Sequence, residues 1–481
     1  MYDQPRLLGT WTIRERWAKP GLVLLALVFG IAFGAFATAL NPLYLAAGFV
    51  GLAVGAVILM RTQIGLLGFI AVAYLLPYAV IPLPIGSVKL TFLDATLTVL
   101  LLIWVARLLT NPKEQLRVSR PGVIVLLFIL LAVVSFTAGT AYYVSPETTR
   151  LYLKLLNSIL FFFTILNCVR SSKQLEQLVC GVVLAGAVAA AIGLALYVLP
   201  AGLATQALTS LRPLGYYPGS SDVIRYIADT KTLRAISTSV DPNVLGAILM
   251  VSATLSASQL LSPMPLVARK WLVPAFGITF VCLLVTFSRG SWMGFIVAML
   301  FVATVKYRKL WLVFALIGIV LYLGIAPVDL PFIGHLESGF AARDKAAAMR
   351  LGEYKDAWRL ISEFPWFGVG FGSAPAVDLY VGVSSIYLLM AEQMGLVGAA
   401  VFILAMVFLF WQGLGTLMRA QNPAYQATLL GLLAAVVAAL VAGIFDHHFF
   451  NLRFPHVVAL LWMLAGMVTV GGWLVEKGEV S

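Results

Sequence analysis

Charge is scarce in this chain: only 11% of its 481 residues are Asp, Glu, Lys or Arg, against roughly 25% in soluble domains. A water-soluble fold of this composition would lack the polar surface to cover itself. Cysteine is scarcer still. Cys168, Cys180 and Cys282 stand in or at the ends of apolar stretches, with no spacing suited to zinc or to a disulfide framework, and they are read as core or lipid-facing residues. No carboxylate cluster has the form of a metal cage, so neither metal nor cofactor is expected. The net charge of +12 comes from basic residues scattered between apolar runs rather than gathered with aromatics on one module. That pattern speaks against nucleic acid as a partner and makes the charges markers of topology.

What fills the chain is apolar, 61% of it, and grouped into runs close to the ~20 residues that a helix needs to cross ~30 Å of hydrocarbon. The runs predict an all-α polytopic transmembrane bundle of about 12–14 spans. They lie near 22–40, 43–60, 64–83, 91–109, 122–139, 151–168, 178–199, 243–261, 271–287, 291–305, 310–326, 385–411, 427–445 and 456–475. The first follows Arg6, Arg14, Arg16 and Lys19 and carries Ala35-Phe36-Ala37, as a cleaved leader would. With so many spans behind it, an uncleaved first helix is the preferred reading. Alternating the spans from a cytoplasmic N-terminus puts more than half of the 32 Lys and Arg residues in cytoplasmic connections, as the positive-inside bias requires, with both termini on that side.

Five regions follow: N-terminal transmembrane helices over 1–200, a long outer loop over 201–242, transmembrane helices with an arginine hairpin over 243–326, a large outer loop over 327–384, and C-terminal transmembrane helices over 385–481. Long polar loops between spans usually carry function. In the second, Arg343 to Phe364 has mostly helical apolar spacing and predicts a helix lying on the membrane surface. Pro365 ends it, and Gly368-Val369-Gly370-Phe371-Gly372 gives a turn back toward the bilayer.

The string Thr286-Phe287-Ser288-Arg289-Gly290-Ser291-Trp292 places an arginine at a tight hairpin between two apolar spans. Such a charge is costly unless paired, hydrated or bound to an anion. Two readings stand: an arginine snorkelling from a helix end, and a guanidinium whose planar fork grips phosphate oxygens. Upstream, Arg234 precedes Asp241-Pro242-Asn243, which has the form of a helix start with Asp241 as cap. Arg212 and Arg225 are further cations in the same loop. Glu392 lies inside a span beside the outer loop, and is expected to hold Arg289 or Arg234 by pairing. Asp94 and Lys154, in the fourth and sixth spans, form either a structural pair or part of a lipid pathway.

Taken in order, Arg234 with Asp241-Pro242-Asn243, Phe287-Ser288-Arg289-Gly290, Arg350 through Trp358 to Phe364-Pro365-Trp366-Phe367-Gly368, then Tyr387-Leu388 and Glu392-Gln393-Met394-Gly395-Leu396, the chain resembles the O-antigen ligase/polymerase superfamily. The resemblance runs from about 234 to 400. It implies a glycosyltransferase of the cytoplasmic (inner) membrane. Such an enzyme moves a glycan from an undecaprenyl-pyrophosphate carrier to an acceptor hydroxyl on a glycan, lipid or protein, outside that membrane. It also implies that Arg234 and Arg289 cradle the pyrophosphate and that Arg350 positions the loop, with Arg212, Arg225, Ser384, Tyr387 and Glu392 as further substrate-binding candidates. Because the leaving group is already a pyrophosphate, positive charge suffices to stabilise it and no metal is needed.

The chain departs from the pattern at one place. Family members commonly carry a His-Asn pair three residues before the Tyr-Leu, and Ser384-Ser385 stand here. That histidine would orient or deprotonate the acceptor hydroxyl, which serine cannot do unaided. Asp446-His447-His448 and His456, on the last outer connection, supply imidazoles on the same side, and His447 is the candidate base. In helical geometry neighbouring residues do not face each other, so no Asp446–His447 dyad is assumed. The rival expectation is a transporter or flippase for a lipid-linked glycan or small solute. Such proteins bring broken helices and polar sites to mid-membrane, often in repeated halves, whereas these arginines stand at the outer rim and no internal repeat is evident.

Overall fold

The computed structural model describes residues 61–81, 90–111, 115–138, 144–216, 223–227, 232–322, 345–372 and 383–478. The two spans expected at 22–40 and 43–60 lie outside the described residues, as do parts of both long loops.

The described chain is helical from end to end, in the order α1 (Thr62–Leu75), α2 (Phe92–Thr110), α3 (Arg120–Ala138), α4 (Pro146–Cys168), α5 (Ser172–Val198), α6 (Ala201–Thr209), α7 (Pro242–Leu261), α8 (Arg269–Val285), α9 (Arg289–Val305), α10 (Leu310–Tyr322), α11 (Lys345–Glu363), α12 (Ile386–Arg419), α13 (Pro423–Phe445) and α14 (Pro455–Glu476). Eight of these, α2 to α5, α7 and α12 to α14, are long and apolar enough to cross a membrane, which makes this a multi-pass membrane protein. The all-α expectation is met. Among the described residues strand is confined to a two-residue ribbon, β1 (Arg225–Tyr226) paired antiparallel with β2 (Leu233–Arg234).

Local chemistry fixes the helix starts. Thr91 and Asp94 open α2 with reciprocal hydrogen bonds of 3.1 Å, a capping box that satisfies two otherwise orphaned backbone donors. Asp94 also meets Lys154 of α4 at 2.6 Å, so buried Asp94 and half-buried Lys154 form a pair between helices. Ser145 and Ser171 cap α4 and α5, and Asp241 caps α7 by accepting from Asn243 N at 2.7 Å and Val244 N at 3.1 Å, with Pro242 at the first helical position.

Burial then sorts the layers. In α14 nearly every residue of the apolar window is enclosed, and α7 is almost as deep, whereas most of α2 faces outward. An apolar helix buried all round is the centre of a bundle. Helix α13 packs against both α7 and α9, and α14 packs against α4. Glycine permits the closest of these approaches: a Cβ on Gly294 of α9 would lie 2.6 Å from the Ala438 carbonyl oxygen of α13.

The sequence reading missed two features. The loop over 201–242 holds the short helix α6 and packs Leu208, Tyr216, Val223 and Ile236 against Ala79. Helix α12 is broken at Gly395, whose φ of 70° and ψ of 177° only glycine adopts readily.

Candidate functional site

Arg234 ends the β-ribbon and lies against the α8–α9 hairpin. Its Nε donates to the Thr286 carbonyl at 2.8 Å, and one Nη donates to Phe287 O at 3.3 Å and to Asn243 Oδ1 at 2.5 Å. The backbone follows suit, with Ala235 N donating to Val285 O at 2.9 Å. The other Nη has no hydrogen-bond partner among the described residues. One guanidinium thus ties together the start of α7 and the turn that carries Arg289. That turn is strained: among the described residues the non-glycine positions with positive φ are Ser237, Val240 and Phe287, all in the two segments that meet here. Such conformations persist only where surrounding structure enforces them.

Arg289 is the first residue of α9, so it and the cap of α7 stand at helix N-termini, where the helix dipole favours anions. Burial pushes Arg234 down to about 10, still a cation at neutral pH. Asp241 and Asp446 oppose that shift, and the like charges of Arg289 and Arg350 add to it. Four charged groups from separate parts of the chain therefore act on Arg234.

Asp446 arrives from α13. Gly290, next to Arg289, faces Phe445, where an added Cβ would lie 3.3 Å from the Phe445 Cβ. Asp446 follows in extended backbone (φ −153°, ψ 161°), and His447 (φ −104°, ψ 2°) begins a short 3-10 turn, His448–Phe450. In that geometry His448, two residues on, faces the carboxylate: its Nε2 lies 3.1 Å from Asp446 Oδ1, and His447 Nδ1 lies 3.9 Å from the same oxygen.

Burial opposes charge on all three groups, and the outcomes differ. For Asp446 the adjacent His448 prevails, holding the carboxyl well below its usual range. For His448 the paired carboxylate prevails, and its basicity rises. For His447 burial prevails, and its basicity falls, although Asp446 and the Val383 backbone carbonyl favour its charged form. His448 is thus the buried cation of an ion pair. His447, with 23% of its side chain exposed, is the neutral and accessible imidazole.

The helix expected over Arg343 to Phe364 is α11, and it packs against α12 beside the site. Glu353 accepts from Ser384 N at 2.9 Å, and Tyr354 donates to Ser384 O at 3.3 Å. Arg350 of the same helix acts electrostatically on Arg234 and Asp446. After Pro365 the glycine-rich turn seats on the broken part of α12: Val369 N donates to Glu392 O at 2.9 Å, Gly370 N to Gln393 O at 3.0 Å, and Leu396 N to Pro365 O at 2.7 Å. A Cβ on Gly395 would fall 2.1 Å from Trp366 O, so the two sequence strings meet as one interlocked unit.

The structure therefore brings together Arg234, Arg289, Arg350, His447 and the Ser384 backbone. Arg225 is exposed and directly opposite Arg234 in the ribbon, whereas Arg212 is exposed in a 3-10 turn after α6. Tyr387 spends its hydroxyl on the Leu440 carbonyl of α13 at 2.9 Å. The expected pairing of Glu392 with Arg289 or Arg234 is corrected, because the charged neighbour of its carboxyl is Asp356 of α11. Sequence reasoning did not foresee Asn243 as a partner of Arg234, nor the Asp446–His448 pair.

Asp446, His447 and His448 could also hold a metal ion, since one ligand atom from each lies within 4.8 Å of the others. The guanidiniums of Arg234 and Arg350 act on the same carboxylate and oppose a dication there. The chemistry the cluster suits is capture of a polyanion beside a neutral base.

No curated protein matches the chain. Residues 274–403, which hold the Arg289 hairpin, α11, the glycine-rich turn and the broken start of α12, match the family model described as O-antigen ligase. Arg234 and the Asp446–His448 turn lie outside the matched stretch, which is well under half of the chain. The match bears out the resemblance to the O-antigen ligase superfamily read from the sequence and supports, at the level of that family, an O-antigen ligase-type glycosyltransferase.

Proposed function

We propose that this protein transfers a glycan from an undecaprenyl-pyrophosphate carrier to an acceptor hydroxyl, at the outer face of the cytoplasmic membrane. Arg234, Arg289 and Arg350 hold the pyrophosphate. The observation that carries this reading is the convergence of Arg234 on the hairpin of Arg289, through hydrogen bonds to the carbonyls of Thr286 and Phe287.

In the reaction the acceptor oxygen attacks the anomeric carbon of the donor sugar. The bond from that carbon to the phosphate oxygen breaks, and the electron pair leaves with the carrier pyrophosphate. Guanidiniums already in place lower the energy of that departing charge without reorganising. The acceptor proton goes to His447, whose neutral imidazole bonds the backbone of Val383, the residue before Ser384, where family members carry their histidine. Asp446 is held ionised by His448 and so fixes the negative charge that steadies an imidazolium on His447.

The test is purified protein supplied with a pyrophosphate-linked glycan and an acceptor, read as release of carrier pyrophosphate. Wild type releases it, and Arg234→Ala and Arg289→Ala each lower release by about 100-fold or more while still inserting in membranes. Relocation of intact donor without release would make the protein a flippase. Unchanged release in both variants would remove the arginines from the mechanism.

A further inference from the structure

Pro365 ends α11, and the two residues after it are large, aromatic and uncovered: Trp366 is 69% exposed and Phe367 46%. Their backbone is fixed. Leu396 N of α12 donates to Pro365 O at 2.7 Å, Ser135 Oγ of α3 donates to Phe367 O at 3.0 Å, and the Trp366 carbonyl lies against Gly395 so closely that no Cβ fits between them. The main chain of the turn is thus held by α3 and α12, while its aromatic rings are left outside that packing.

Ser135 sets the level of the turn along the bundle. It stands three residues before α3 ends at Ala138, about 5 Å along the axis, and α3 is one of the helices long and apolar enough to cross a membrane. Leu396 sets the neighbourhood. It is the first of an apolar stripe on α12 that continues through Ile403 and Val407, seven and four residues further on, and all three are exposed. An exposed apolar stripe along a span is the face that lipid covers. Trp366 and Phe367 extend that stripe past the helix break, level with the last turn of a neighbouring span, which is the depth at which tryptophan is favoured.

A charged pair marks the watery side of the same boundary. Arg359 and Glu363, on the last turns of α11, approach to 3.6 Å with both side chains more than half exposed, as hydrated ions do. Between Glu363 and Trp366 the exposed side chains change from ionic to aromatic within three residues.

We propose that Trp366 and Phe367 are membrane anchors: their rings insert among the lipids at the end of the α12 stripe and hold the glycine-rich turn onto the broken part of α12. The partner is the bilayer itself, and the proposal does not depend on the transfer reaction above.

The experiment places a nitroxide on single cysteines of the full chain in vesicles of phosphatidylcholine and phosphatidylglycerol, with Cys180→Ser removing the native thiol that is not buried. Collision with oxygen, which partitions into lipid, is compared with collision with a water-soluble nickel chelate. The label on Phe367→Cys is expected to favour oxygen over nickel about tenfold more than the label on Glu363→Cys, and to resemble that on Ile403→Cys. A nickel preference at Phe367 equal to that at Glu363 puts the ring in water and overturns the proposal, and exclusion of both reagents puts it under protein and overturns it equally. If Phe367→Cys does not fold, quenching of intrinsic fluorescence by brominated phosphatidylcholine serves instead: it is expected to fall by about 10% in Trp366→Phe, and unchanged quenching overturns the proposal. Hydrogen exchange reads the anchoring. Trp366→Ser combined with Phe367→Ser is expected to speed exchange of the Val369 and Gly370 amides, which bond the Glu392 and Gln393 carbonyls, by about tenfold, and unchanged exchange would show that the rings hold nothing in place.

Discussion

Gly294 of α9 faces the backbone of Ala438 in α13 so closely that an added Cβ would meet the Ala438 oxygen at 2.6 Å and the Met250 sulfur at 2.4 Å. One turn nearer the N-terminus of α9, a Cβ on Gly290 would lie 3.3 Å from the Phe445 Cβ. Together they hold the helix that starts with Arg289 against the helix that ends beside Asp446. The charge cluster therefore depends on a contact lying inside the membrane-spanning part of the bundle.

Gly294→Val should push α9 from α13, because the contact is with backbone and cannot be relieved by a rotamer change. Overpacking of this kind costs about 1–3 kcal/mol. A lower thermal midpoint together with weakened donor binding is expected. A midpoint shift with donor affinity unchanged would show that the helix contact does not set the arginine geometry.

Arg234 uses its Nε and one Nη on the Thr286 and Phe287 carbonyls and on Asn243. Lysine keeps the charge but has no planar fork to reproduce those bonds. Arg234→Lys is therefore expected to behave almost as Arg234→Ala, with transfer down by about 100-fold. Asn243→Ala removes one of the three acceptors and should fall between wild type and Arg234→Lys. Full transfer by Arg234→Lys would mean that charge alone matters there.

Both outcomes bear on how far the site could be read from sequence. Arg234 and Arg289 were legible because a cation at the rim of an apolar span is costly unless it has a purpose, and Asp241 because its cap chemistry is local. The apolar runs gave eight of the expected spans, since length and composition suffice there. The Asp446–His448 pair was not legible: the reading took helical geometry, in which neighbouring residues diverge, while the chain leaves α13 in extended backbone and turns His448 back onto the carboxylate. Glu392 misled because its neighbours depend on the break at Gly395 and on the turn seated there, neither of which has a periodic signature.

His447 gives the pH dependence. A base must be neutral, and burial moves His447 below its ordinary value of 6.5, so at neutral pH it is already in its working form. Transfer should be flat from pH 7 upward to the mildly alkaline range, and fall on acidification with a midpoint below 6.5. His447→Ala should lower transfer by about 100-fold and remove that acidic limb. An acidic limb that survives in His447→Ala would assign the titration to another group.

His448 makes a separate prediction about stability. Its basicity is raised in the folded state, because the pairing with Asp446 outweighs burial. The pair's contribution is therefore complete below the unfolded histidine value of 6.5 and is lost as pH rises through the higher folded value. His448→Gln leaves Asp446 without its cation and should cost about 3 kcal/mol at pH 6, the scale for breaking a buried pair. The difference between wild type and variant should shrink as pH is raised, since deprotonated His448 no longer supports the carboxylate. Thermal midpoints at pH 6 and pH 9 measure this directly, and a gap that stays constant or widens with pH would show that His448 stabilises the turn by packing rather than by charge.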